Sequence, residues 1–160
     1  MSSAYLEALK LLGRRELSER QVRDRLVRRG HEPEAIEDAV SRLKAERAID
    51  DRRVAEAIAR TETTIKRRGK LRVKRQIEQA GIAPEVARHA LDTVFGDLDD
   101  ADLLQAALNR RLRGDRPIAN DREFQRLYRY LAAQGFESDR ILKALKARRA
   151  QSSSGQEDAD

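Results

Sequence analysis

One pattern of apolar residues and glycine is written three times along this chain of 160 residues. Val22, Leu26 and Gly30 precede Pro33, Ala39 and Val40. Val73, Ile77 and Gly81 precede Pro84, Ala90 and Leu91. Leu127, Leu131 and Gly135 precede Ser138, Ala144 and Leu145. The glycines stand 51 and 54 positions apart. A unit of that size buries little apolar surface alone, so the copies are expected to support one another as an array.

The periodicity inside each copy is helical. Tyr5, Ala8, Leu9 and Leu12 make one apolar stripe. Ser18 and Gln21 have capping-box spacing and open a second helix through Val22 and Leu26. Gly30 is placed to end that helix in a left-handed conformation, and Pro33 suits the first turn of the next. That third helix carries Ile36, Ala39, Val40 and Leu43. Asp50 and Asp51 cap a fourth, with Val54, Ala57, Ile58, Thr61 and Ile65 on one face and Gly69 breaking it. The second copy follows, to about Val94. Asp99, Asp100 and Asp102 start the helix of Leu104, Ala107, Leu108 and Leu112. Gly114 and Pro117 interrupt before Asn120 and Glu123 open the helix of Phe124, Leu127, Tyr128 and Leu131. No stretch alternates like a strand. The expectation is an all-α chain of three tandem three-helix, helix-turn-helix-like modules in an elongated array: 1–50, 51–98 and 99–149. The segment 150–160 has no apolar pattern and is expected to be a disordered acidic tail.

Composition limits what such an array can be. Hydrophobic and charged residues are each 39% of the chain, so no single core is large. No run of 18 apolar residues exists to span a bilayer, and the early Glu7 argues against a signal peptide. Cysteine is absent, which excludes disulfides and thiolate metal sites and fits a cytosolic protein.

Charge is unevenly spread. Residues 1–50 hold 11 basic and 10 acidic side chains, net +1; 51–98 hold 11 and 7, net +4; 99–149 hold 12 and 8, net +4. The densest run is Lys66, Arg67, Arg68, Lys70, Arg72, Lys74 and Arg75, the footprint of a nucleic-acid or acidic-protein partner or of a solvated helix face. Aligning the repeats sets Arg72 and Arg75 on Arg126 and Arg129, where the first copy has Gln21 and Asp24. The i, i+3 spacing, off the apolar stripe, predicts an outward basic ridge on the last two modules only. Tyr130 lies four residues after Arg126; it either meets a partner on that ridge or closes the module's core edge. Arg110, Arg111, Arg113 and Arg116 form a second cluster at a helix end, where the helix dipole also favours cations.

Catalytic chemistry finds no foothold. His31 and His89 share no helix face with a base or nucleophile. The paired aspartates sit at helix starts, where carboxylates cap the backbone. Gly69-Lys70 lacks the upstream glycine and following Ser or Thr of a phosphate-cradling loop. The expectation is a binding protein, not an enzyme, with no cofactor and no catalytic or metal site.

Across roughly residues 4–149 the chain resembles the RecX family, bacterial regulators of the RecA recombinase. The resemblance rests on Ala8-Leu9-Lys10-Leu11-Leu12, Arg29-Gly30, Ile49-Asp50-Asp51-Arg52-Arg53-Val54-Ala55, Gly69-Lys70-Leu71-Arg72-Val73 and Gly81-Ile82, in that order. It departs at Lys70, Val54 and Ala87, where the family favours Pro, an aromatic and a larger aliphatic. The resemblance implies a cytoplasmic bacterial protein of DNA repair, homologous recombination and the SOS response. It implies binding in the helical groove of the RecA–DNA filament, inhibiting ATP hydrolysis, strand exchange and coprotease activity. Its contacts would come from Lys66, Arg67, Arg68, Lys70, Arg72, Lys74, Arg75, Arg126, Arg129 and Tyr130, and the near-neutral first module would make apolar or mixed contacts. The expected partners are the RecA filament and, more weakly, single- or double-stranded DNA, met by a monomer with no membrane role. An independent helix-turn-helix-like DNA-binding protein is the alternative, and a helical scaffold a third.

Overall fold

The computed structural model describes residues 2–96 and 98–154, with the side chains of 152–154 outside that description. Among the described residues there are nine α-helices, one π-helical turn and no strand. The helices are α1 (Ser3–Arg14), α2 (Glu19–Arg28), α3 (Pro33–Ala45), α4 (Asp51–Arg60), α5 (Lys70–Gln79), α6 (Pro84–Phe95), α7 (Asp100–Leu112), α8 (Asp121–Gln134) and α9 (Ser138–Ser154), with the π-turn at Thr61–Ile65.

The helix boundaries follow local chemistry. Ser18 accepts from the Gln21 amide while the Gln21 side chain accepts from the Ser18 amide, a reciprocal box. The side chains of Asp50, Asp99 and Asn120 accept from the amides of Arg53, Ala101 and Glu123. Pro33 and Pro84 occupy first turns, where their missing N–H costs nothing. Gly30 and Gly135 close α2 and α8 at φ +82° and +99°. At both ends the next amide, His31 or Phe136, reaches back to the carbonyl of Leu26 or Leu131, 3.2 Å away in each case. That geometry needs a left-handed residue, which explains why glycine recurs with the apolar pattern.

The apolar residues gather into three clusters, and every extensively packed helix pair lies inside one of them. Tyr5, Leu26, Ile36 and Leu43 belong to the first, Ile77, Leu91 and Phe95 to the second, Leu108, Leu131 and Leu145 to the third. Leu103 packs against both the second and the third. A fully buried leucine contributes roughly 1.5–3 kcal/mol, so each small core rests on a few side chains.

Three local expectations change. Of the stripe predicted along 54–65, only Val54 and Ile58 face the core. Val54, Ala55 and Ala59 point inward, while Ala57 and Thr61 are exposed and Ile65 is 69% exposed. The inward face steps by four residues, from Val54 and Ala55 through Ile58 and Ala59, and the π-turn carries it on to Glu62 and Thr63. Thr63 and Thr64 bond back to the carbonyls of Ala59 and Arg60, a habit that competes with helix continuation. So the helix ends before Gly69, which instead precedes α5 in an extended conformation. At the other end, α9 runs on to Ser154, so 150–154 are helical where disorder was expected; 155–160 lie outside the described residues. Arg148 is 6% exposed and bonds to Gln105, Asn109 and the carbonyls of Gly114 and Arg116, tying the α7–α8 loop to α9. No sequence signal marks that role.

Candidate functional site

The candidate surface is organised by the joints between the three units. At the second joint the last carbonyls of α8 meet the first amides of α5. The Gly69 N–H donates to the Gln134 carbonyl at 2.8 Å, and the Leu71 N–H to the Gly135 carbonyl at 3.1 Å. These groups are orphans of any helix end, and here each end satisfies the other. The approach is close because both partners are glycine. A Cβ on Gly69 would lie 2.5 Å from the Gly135 carbonyl carbon, and one on Gly135 would lie 2.4 Å from the Arg72 Cβ.

Arg72 is therefore not on an outward ridge. It is half-buried in this joint, and its Nη1 donates to the Ala133 carbonyl at 3.0 Å. The i, i+3 spacing was a correct reading of the helix surface, but a neighbouring unit covers that part of it. Arg75, Arg126 and Arg129 are exposed, as is Lys74, and none of the four lies within ion-pair distance of a carboxylate among the described residues.

The rest of the basic run divides. Lys66 Nζ lies 2.9 Å from Glu62, and Arg68 also bonds to that carboxylate. Burial pushes the Glu62 carboxyl up, but the two cations outweigh it and hold the group below the ordinary carboxylate range. Lys66 and Arg68 thus order the π-turn and the loop to α5. Lys70 lies 4.0 Å from Asp92. Arg67 is exposed, with φ +52°. The Lys66–Glu62 pair was legible as an i, i+4 pair; the approach of Arg68 was not. Tyr130 packs against the third core with the Arg111 guanidinium 4.9 Å from its ring centroid. Its position is the core edge, not the free ridge.

At the first joint the Ser18 hydroxyl donates to the Ala80 carbonyl, the Glu19 N–H donates to Asp51 at 2.8 Å, and Arg53 pairs with Glu16. Beside it runs a cleft of about 430 Å³ lined by Gln21, Ala57, Ile58 and Gln76. Ala57 and Thr61, expected to be core, open into this cleft.

His31 pairs with Glu7, which also binds Arg29. His89 sits between Arg52 and Thr93. The Thr93 hydroxyl donates to the His89 carbonyl at 3.0 Å, the i, i+4 back-bond of a helical threonine. Asp100 pairs with Arg140 at 2.9 Å. No group of three or more His, Cys, Asp or Glu is placed to hold a metal among the described residues. Nor is any described helix long and apolar enough to cross a membrane. What the surface offers is unpaired positive charge on units held at fixed joints.

Known proteins share this organisation. Family models of the first, second and third RecX three-helix domains match residues 4–43, 50–91 and 98–145. A regulatory protein RecX of Halorhodospira halophila is 33% identical over 141 residues, 88% of this chain and 84% of that protein. One from Syntrophotalea carbinolica is 31% identical over 138 residues, 86% and 90% of the two chains. The crystal structure of RecX from Lactobacillus salivarius matches with a TM-score of 0.73 at 20% identity, over 90% of this chain and 95% of that one, a likeness of fold. With all three domain models matched in order, the chain belongs to the RecX family.

Proposed function

We propose that the chain regulates the RecA recombinase by lying along the helical groove of the RecA–DNA filament and bridging neighbouring subunits. It acts in the bacterial cytoplasm as a monomer and as a binding protein, not an enzyme. Its main effect is inhibitory, on ATP hydrolysis, strand exchange and coprotease activity. The observation that carries this reading is the set of exposed, unpaired cations Lys74, Arg75, Arg126 and Arg129 on two units locked end to end through α8 and α5. Such a surface suits an extended polyanionic or acidic partner. Arg67 and Lys70 extend the contact, whereas Lys66, Arg68, Arg72 and Tyr130 hold the array that presents it. Regulation follows from differential fit: an array that seats better on one filament state shifts the filament toward that state.

The test is RecA ATP hydrolysis on single-stranded DNA, titrated with substoichiometric amounts of the chain. The rate is expected to fall. A rate unchanged across the titration refutes the reading. The same free cations favour one second reading, an independent DNA-binding protein; binding to bare DNA that is tight, steeply salt-dependent and indifferent to RecA would replace the filament reading with that one.

A further inference from the structure

The first unit carries a net charge of only +1, with 11 basic and 10 acidic residues, yet its cations are not evenly spread. Arg14 and Arg15, at the end of α1, and Arg25, Arg28 and Arg29, at the end of α2, line one recess of about 420 Å³. No carboxylate lines it, and Leu11 and Leu17 form an apolar wall. Arg29 is paired with Glu7. Arg14, Arg15 and Arg28 have no ion-pair partner among the described residues. Two helix C-termini converge here, and their dipoles account for the presence of cations. Arg25, in the last turn of α2, shares that dipole but is the most enclosed of the five. Its side chain is half-buried, its Nη1 is shielded from solvent, and no protein group accepts a hydrogen bond from that nitrogen. Burial lowers the pKa of the Arg25 guanidinium, and the charges of Arg15 and Arg28 act in the same direction.

A half-buried guanidinium with further cations around it, in a recess that no carboxylate lines, calls for an anion with several acceptor oxygens. A carboxylate has two acceptor oxygens to share among neighbouring cations. A phosphate offers acceptors to several forks at once. We propose that this recess is a phosphate-binding site of the first unit, with the Arg25 guanidinium at its base and Arg15 and Arg28 closing on the same group. The site gives the first unit an anionic contact of its own, separate from the cations of the second and third. It stands independently of the RecA reading, because its test contains no RecA.

The test follows arginine side-chain signals of the full-length chain by 15N–1H NMR during addition of inorganic pyrophosphate or of a short single-stranded oligonucleotide. Saturable shifts of the Arg25 and Arg28 signals are expected. Arg25→Met keeps the apolar stem, and Arg28→Gln changes an exposed side chain; each is expected to weaken binding about 10-fold or more. Triple substitution of Arg75, Arg126 and Arg129 by Gln is expected to leave the recess signals responsive. Saturation at lower oligonucleotide than pyrophosphate identifies backbone phosphate as the source, and the reverse order identifies a free phosphate compound. If Arg25→Met is unstable, Arg28→Gln decides alone. The proposal is overturned by absence of a saturable shift with both probes, by unchanged affinity in Arg28→Gln, or by saturation with an oligoglutamate peptide and neither phosphate probe.

Discussion

Replacing Gly69 by alanine tests the joint between the second and third units. The backbone of Gly69, at φ −79° and ψ 165°, is ordinary for alanine, so the second unit tolerates the change by itself. The new Cβ, however, would stand 2.5 Å from both the carbonyl carbon and oxygen of Gly135, and 2.7 Å from the Phe136 nitrogen. These are backbone atoms, and no rotamer relieves them. Ordinary contact requires α8 to retreat by about 1 Å. That retreat opens the Gly69–Gln134 and Leu71–Gly135 bonds, now 2.8 and 3.1 Å, and the Arg72–Ala133 bond of 3.0 Å. At about 1 kcal/mol each, the joint loses about 3 kcal/mol, on the order of 100-fold in its closed population. Amide hydrogen exchange reads this directly. The amides of residues 69 and 71 are expected to exchange roughly 100-fold faster, while those of Ile77 and Leu131, each inside its own unit, keep their protection. Protection at 69 and 71 equal to that of the unsubstituted chain would refute the reasoning. Gly135→Ala is less clean, since φ +99° adds backbone strain inside the third unit.

Further outcomes follow from the charge and cap arrangements. Glu62→Gln leaves Lys66 and Arg68 without their shared carboxylate and should destabilise the second unit by about 1–3 kcal/mol near neutral pH. Because the folded-state pKa of Glu62 lies below its ordinary value of 4.5, its contribution is present above that value and disappears as pH falls through the lowered one. Melting curves of the two forms should therefore converge in acid; a constant difference down to the acid limit would rule this out. Replacing Arg75, Arg126 and Arg129 together by Glu should shift stability by no more than about 0.5 kcal/mol per site and weaken inhibition of RecA. Arg72 is left in place because it belongs to the joint, and inhibition at full strength in the triple variant would exclude these cations as the working surface. Ser18→Ala removes a capping-box partner and a bond across the first joint, and should cost about 1–2 kcal/mol in urea unfolding; an unchanged midpoint would count against both contacts.

Legibility depended on the range of the interaction. Ser18 with Gln21, Asp50 with the Arg53 amide, and Gly30 and Gly135 at helix ends are contacts within a few residues, so spacing alone reveals them. The same holds for Leu26, Leu43, Leu131 and their neighbours, whose helical period marks one face. The reading of 54–65 failed at Ala57, Thr61 and Ile65 because the inward face steps by four residues, and nothing in Thr61-Glu62-Thr63-Thr64-Ile65 announces the π-turn that continues it. Tyr130 stayed ambiguous in the sequence because its position suits either the ridge or the core edge; packing against the third core and the Arg111 guanidinium placed it on the edge.

By itself, the sequence determined that the chain is helical, that it consists of three copies of one unit, and where most helices begin and end. Those properties rest on backbone capping and on periods of three and four residues, which are local. Tertiary structure decided which cations are free. Arg72 and Arg75 look equivalent along α5, yet one is spent on the Ala133 carbonyl and the other faces solvent. Likewise the near-neutral first unit gathers five arginines into one recess because the ends of α1 and α2 converge there. Net charge sums over a segment, whereas electrostatic recognition depends on distances in space, and only the packing of one unit on the next sets those distances.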